Sequence, residues 1–169
     1  MKTVFITGAS SGIGKATAQL FHQKGWNVVA TLRNPQAEKE WEHVNNVKVL
    51  RCDVSNLDSI QAAIREGVAA FQGVDLLVNN AGYGTLGPLE SASYEQIKRQ
   101  LDTNLLGLIS VTKEMLPHFR ERKSGVIINI SSIAGIITSP LAALYNATKW
   151  GVDKPLIPTF LSVSKLSRN

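Results

Sequence analysis

The sequence predicts a doubly wound α/β fold built on a parallel sheet. Short β-branched runs alternate with helical patterns along the chain, and the first such run leads into a glycine-rich turn that opens a helix. At 169 residues, with 44% hydrophobic and 18% charged residues, the chain fits one domain whose sheet is covered on both faces.

Strands are expected at Thr3–Thr7, Asn27–Leu32, 47–52, 75–79 and 126–131. A helix over 12–24 follows the first strand and is closed by Gly25. Asn34 is placed to cap a short helix with Pro35 at its first position, and Ser55 to cap another with Asp58 three residues on. Ser93 and Gln96 form a capping box for the longest helix. Its apolar residues Ile97, Leu101, Leu105, Leu108, Val111 and Met115 are spaced to face the sheet. Asn104 falls inside that stripe, so its amide is either a core group bonded to backbone or a placed functional group.

Composition narrows the function classes. The formal charge is +5, but Lys and Arg are spread along the chain. The one tight group, Arg120, Arg122 and Lys123 beside His118, reads as a helix terminus complementing the helix dipole, which argues against nucleic-acid binding. Cys52 is the sole cysteine and reads as a small buried hydrophobe; His22, His43 and His118 are too scattered for a metal site. The apolar start before Gly8 is too short for a signal-peptide core. The uncharged stretch 125–148 is broken by Asn129, Ser131, Ser132, Thr138, Ser139 and Pro140, so no membrane helix is expected, and the chain reads as cytoplasmic.

Two motifs carry chemistry. The first strand enters Thr7-Gly8-Ala9-Ser10-Ser11-Gly12-Ile13-Gly14. Glycines at a strand-to-helix turn let backbone approach a pyrophosphate, and the helix N-terminus offers free N–H groups and a positive dipole. The second is Tyr145 and Lys149, four residues apart on one helix face and preceded by Ser132. A free phenol titrates near pH 10, so exchanging its proton near neutrality costs about 4 kcal/mol unless a neighbouring cation favours the anion.

The glycine pattern, Asn79-Asn80-Ala81-Gly82, Asn104, Ser132, Tyr145 and Lys149 together resemble the short-chain dehydrogenase/reductase family, in its single-domain branch, over residues 1 to about 153. The resemblance implies a Rossmann-type dinucleotide site. Gly8, Ser10, Ser11, Gly12, Ile13 and Gly14 would line the pyrophosphate and adenosine, Asp53 and Val54 the adenine, and Asn80, Ala81 and Gly82 the inner wall. It further implies that Tyr145 is the general acid for carbonyl reduction and the base for alcohol oxidation. Lys149 would assist it and hold the nicotinamide ribose, Ser132 would bond the substrate oxygen, and Asn104 would hold a water in the proton relay.

An acid at the end of the second strand would bond a ribose 2′-OH, whereas an Arg accommodates a 2′-phosphate. Here Leu32 is followed by Arg33, and no carboxylate appears before Glu38, so NADP(H) is favoured over NAD(H). Residues 82–84, the loop 136–141 and Leu144 are expected to give a mainly apolar wall for a small carbonyl or alcohol substrate. A homo-oligomer is compatible with the resemblance. Residues 154–169 depart from it: Pro155 and Pro158 interrupt the expected helix, and the C-terminal strand or strands of the resembled fold are missing. Two domain-level regions are therefore expected, a dinucleotide-binding and catalytic unit over 1–153 and a divergent tail over 154–169. The tail reads as a truncation or frame change in preference to a makeshift strand over 159–166. The functional expectation is an NADP(H)-dependent oxidoreductase; the alternative is a catalytically impaired nucleotide-binding remnant.

Overall fold

The computed structural model describes residues 1–41 and 44–153. His43 and the tail over 154–169 lie outside the described residues. Five parallel strands form one sheet: β1 (Thr3–Thr7), β2 (Asn27–Leu32), β3 (Val47–Arg51), β4 (Leu76–Asn79) and β5 (Val126–Asn129), in the order β3-β2-β1-β4-β5. The chain winds outward from β1 in one direction and then, from β4, in the other. The carboxyl ends of β1 and β4 therefore flank the crevice where an open α/β sheet receives a ligand.

Side chains alternate between the two faces of this sheet. Phe5, Val29, Leu77 and Ile127 join one core with Ile60, Ile64, Val111, Met115 and Phe119. Those partners come from α2 (Leu57–Ala70) and α4 (Gly107–Glu121). Val4, Ile6, Val28, Ala30, Leu76 and Val78 form the opposite core with Ala18 of α1 (Gly12–Gln23) and with Trp41. All five β1 residues are buried, and full burial of a side chain such as Phe5 contributes about 1.5–3 kcal/mol. Cys52 is buried as expected, and desolvation pushes its thiol up to about 11.

Local chemistry moves several expected boundaries. Asn56, not Ser55, caps α2: the Asn56 side chain accepts from Ser59 N at 2.8 Å. The Ser55 hydroxyl is committed one step earlier, donating to Asp53 Oδ1 at 2.7 Å. Asn34 precedes a 3-10 turn at Pro35–Ala37 but makes no side-chain cap bond. Cys52, Asp75, Ile130 and Ser131 flank strands rather than belonging to them.

The expected longest helix is divided. α3 (Tyr94–Leu101) begins at the predicted capping box, a π turn covers Asp102–Leu106, and α4 continues to Glu121. The apolar stripe is buried only from Leu108 onward; in the first half Gln100 and Asn104 occupy the buried positions, while Ile97, Leu101 and Leu105 are half-buried. At the far end, Arg122 bonds Asp75 at 3.0 Å and His118 Nε2 lies 3.0 Å from Val74 N, so the basic group closes a helix as expected.

Candidate active site at the carboxyl ends of the strands

The cradle is built where β1 runs into α1. Gly8 has φ +68° and Gly12 φ +54°, both in the left-handed region that favours glycine. A Cβ on Gly8 would stand 2.8 Å from Ala81 Cα, and one on Gly14 would stand 2.2 Å from the Gly8 carbonyl oxygen. Asn80 fixes this approach: its Nδ2 donates to the carbonyls of Thr7 and Gly8, both at 3.0 Å. Thr7 Oγ1 returns the bond by accepting from Asn80 N and Ala81 N at 3.0 and 3.1 Å. Thr7 is a participant that the sequence reading passed over.

Ser11 stands at the N-cap of α1 without a side-chain cap bond, so the first-turn N–H groups have no side-chain acceptor from it. Ser10, Ser11, Gly12 and Ile13 are exposed along this turn. An anionic pyrophosphate is the complement of such an end, and the cradle fits a dinucleotide. At the adenosine end, Val54 is buried and Asp53 half-buried. Asp53 is held below its ordinary carboxyl range chiefly by its bonds from Ser55, with smaller contributions from the Arg33 and Arg51 charges. Leu32 is only 5% exposed, whereas Arg33 is exposed. Arg33 is therefore the position that meets solvent at the end of β2.

The second half of the site sits on α5 (Ala143–Asp153). One helical turn brings Lys149 Nζ to 5.8 Å from the Tyr145 ring centre. Lys149 is 7% exposed, and Nζ donates to the carbonyl of Ile130 at 2.8 Å. That carbonyl lies just past β5, so the strand end orients the amine. Burial holds the Lys149 ammonium below the ordinary lysine range. Tyr145 is half-buried, with its ring against Gly84, where a Cβ would lie 3.6 Å away.

Ser132 caps a 3-10 turn at Ile133–Gly135 by accepting from Ala134 N at 3.2 Å. The neighbouring Ser131 Oγ is sealed from solvent and has no hydrogen-bond partner, which leaves Ser132 as the better-placed hydroxyl of the two.

The Asn104 amide is buried and bonded to backbone. Its Nδ2 donates to Tyr83 O at 2.7 Å and Thr148 Oγ1 at 3.2 Å, and its Oδ1 accepts from Tyr83 N at 3.0 Å. It thereby ties the segment after β4 to α5, with Gly82 close by. Gln100, fully buried one turn earlier, donates to the same Tyr83 carbonyl at 3.3 Å and accepts from the Thr85 hydroxyl. The sequence pattern did not single out Gln100 or Thr148, because their partners are remote in the chain. A cavity of about 140 Å³ adjoins this segment and is lined in part by Leu86, Pro88, Leu89, Leu141 and Leu144. Of the expected wall residues Leu141 and Leu144 line it, whereas 82–84 and 136–140 do not, and the 86–89 contribution was not expected.

Among the described residues no cluster of His, Cys, Asp or Glu could hold a metal ion, and no helix is long and apolar enough to cross a membrane.

The short chain dehydrogenase family model matches residues 2–155, and the chain belongs to that family. It is 39% identical over 150 residues to 3-ketodihydrosphingosine reductase of Bacteroides thetaiotaomicron, covering 89% of this chain and 54% of that protein. It is 36% identical over 158 residues to acetoacetyl-CoA reductase of an Acinetobacter species, covering 89% and 64%. The chain spans about half the length of several curated relatives that it matches. Among solved structures, 3-ketoacyl-(acyl-carrier-protein) reductase of Brucella melitensis complexed with NADH aligns with TM-score 0.93 and 29% identity, over 98% of this chain and 72% of that one. A variant of actinorhodin polyketide ketoreductase with NADPH aligns with TM-score 0.91 and 31% identity, over 98% and 66%. The family is one of oxidoreductases that use a nicotinamide cofactor.

Proposed function

We propose that this chain is an NADP(H)-dependent oxidoreductase that interconverts a carbonyl and an alcohol, with Tyr145 as acid and base. The observation that carries the reading is the oriented, buried Lys149 amine 5.8 Å from the Tyr145 ring centre. A cation so placed stabilises negative charge as it develops on the phenol oxygen, and the low local dielectric strengthens that help. A nicotinamide cofactor, when bound, would supply or accept the hydride. Tyr145 then gives a proton to the substrate oxygen in reduction and removes one in oxidation. Ser132 donates a hydrogen bond to that oxygen. Asn104 holds the segment at residue 83 against α5, and the second lone pair of its Oδ1 is the position for a relay water.

Gly8, Ser10, Ser11, Gly12, Ile13 and Gly14 would hold the pyrophosphate side, Asp53, Val54, Asn80, Ala81 and Gly82 the adenosine side, and Lys149 the nicotinamide ribose. Arg33 at the exposed end of β2 supports NADP(H), as an arginine pairs well with a phosphate. The cavity lined in part by Leu86, Leu89, Leu141 and Leu144 supports an apolar carbonyl or alcohol. Relatives named as reductases of 3-ketodihydrosphingosine and acetoacetyl-CoA support carbonyl reduction.

The test is NADPH oxidation over a panel of apolar ketones, with cofactor affinity measured separately by fluorescence titration. The unmodified chain should turn over at least one ketone. Tyr145→Phe should lower turnover by about a hundredfold or more, with NADPH affinity within twofold. A folded Tyr145→Phe protein that keeps most of its rate overturns the acid-base assignment; NADPH binding without turnover on any ketone leaves a nucleotide binder.

A further inference from the structure

The connection between β2 and β3 carries three carboxylates in sequence, Glu38, Glu40 and Glu42, and the first two are drawn onto α1. Lys15 Nζ lies 3.3 Å from Glu38 Oε2 and 2.7 Å from Glu40 Oε2. The other two oxygens are also engaged: Glu38 Oε1 accepts from Glu40 N at 3.0 Å, and Glu40 Oε1 accepts from Gln19 Nε2 at 2.5 Å. The Glu38 side chain is only 8% exposed, so it is turned against the helix rather than into solvent. Farther along the same face, His22 and Trp41 pack edge to face at 5.6 Å. Lys15, Gln19 and His22 follow one another at helical spacing, and residues 38–41 lie along them.

Lys15 is the fourth residue of α1, in the turn whose N-terminus forms the phosphate cradle. Arg33 stands five residues before Glu38 at the end of β2. A carboxylate freed from Lys15 and able to swing along this connection toward Arg33 would repel a 2′-phosphate, which carries nearly two negative charges, and would accept a ribose 2′-OH instead. We infer that Lys15 is a positioning residue for dinucleotide choice: by capturing Glu38 and Glu40 it keeps two further carboxylates from opposing the Arg33 charge at the adenosine end. This rests on the NADP(H) reading above. Lys15 acts here through the two carboxylates, not by touching the phosphate.

Dissociation constants for NADPH and NADH, measured by titration calorimetry on the full chain, test the idea without any turnover. Lys15→Met should lower the NADPH-to-NADH affinity ratio by about three- to tenfold, the scale of one or two unscreened charges near a surface site. Adding Glu38→Gln and Glu40→Gln to Lys15→Met should return the ratio to within twofold of the unmodified chain, and Lys15→Arg should preserve it. A ratio that stays low in the triple variant would mean direct contact between Lys15 and the phosphate and would overturn the inference. So would a folded Lys15→Met protein with an unchanged ratio. If Lys15→Met does not fold, Lys15→Gln should lower the ratio in the same way, and an unchanged ratio in that variant overturns the proposal. The unmodified ratio alone tests NADP(H) preference, so the two readings fail separately.

Discussion

In the role proposed for it, Lys149 would serve chemistry at a cost to folding. Its amine is buried on α5, and desolvation favours the neutral form, so its folded pKa lies below the ordinary 10.5. Between that depressed value and 10.5 the unfolded chain binds more protons than the native one, and stability from this group rises with pH. Below the folded pKa the whole penalty is present; above 10.5 it is gone. Lys149→Met removes the titration while keeping the side-chain length. Urea unfolding at several pH values should therefore show the unmodified chain gaining stability relative to Lys149→Met as pH rises toward 10.5. A difference between the two that is flat in pH would show that burial does not penalise the charge. The Tyr-Lys spacing was legible in the sequence because it lies within one turn. The Ile130 carbonyl that orients the amine was not, since it comes from the end of a strand 19 residues earlier.

Elements were legible where their signals are local. The Ser93-Gln96 capping box appears as predicted because both partners sit within four residues, with Ser93 N donating to Gln96 Oε1 at 2.8 Å and Gln96 N to Ser93 Oγ at 3.2 Å. The α2 cap was misassigned by one residue, because Ser55 has a competing acceptor in Asp53 that composition does not reveal. This yields a discriminating pair: Asn56→Ala should cost about 1 kcal/mol in urea unfolding, while Ser55→Ala should leave the α2 cap bond intact. Equal losses would return the cap to Ser55. The π turn at Asp102–Leu106 left no trace in the apolar spacing, and the buried Gln100 could not be foreseen, as its partners Tyr83 and Thr85 lie 17 and 15 residues away.

The cradle glycines differ from one another at this same scale. Gly14→Ala would drive a methyl group to 2.2 Å from the Gly8 carbonyl and 2.4 Å from Asn80 Nδ2. Gly12→Ala meets no atom within 4 Å and bears only the left-handed backbone cost, about 1–2 kcal/mol. Thermal unfolding should show Gly14→Ala as the more damaging change, with NADPH affinity lost along with it. A Gly14→Ala protein as stable as Gly12→Ala would mean that β1 and β4 do not approach as closely as the Asn80 bonds require.

Across the whole molecule, the site depends on strands that are distant in sequence but adjacent in space. The cradle is on β1, its Asn80 brace follows β4, and the Tyr-Lys pair leans on the residue after β5, all at the carboxyl ends of the strands. The alternating pattern gave the parallel architecture away, and the resemblance placed the motifs, but the cross-braces arise only when the sheet assembles. A ligand spanning them should stabilise the assembled sheet as a unit. At NADPH a hundredfold above its dissociation constant, linkage adds about 2.7 kcal/mol to unfolding. Hydrogen exchange should then slow together in residues 8–14, 80–84 and 130–135, whereas the outer turn at Pro35–Ala37 and the far end of α4 should change little. Gly8→Val, whose side chain would meet Ala81 Cα at 2.8 Å, should erase the protection in all three segments at once. Protection confined to residues 8–14 would show that the cofactor touches the cradle alone, and the Tyr145-Lys149 pair would then lose its place at the nicotinamide end.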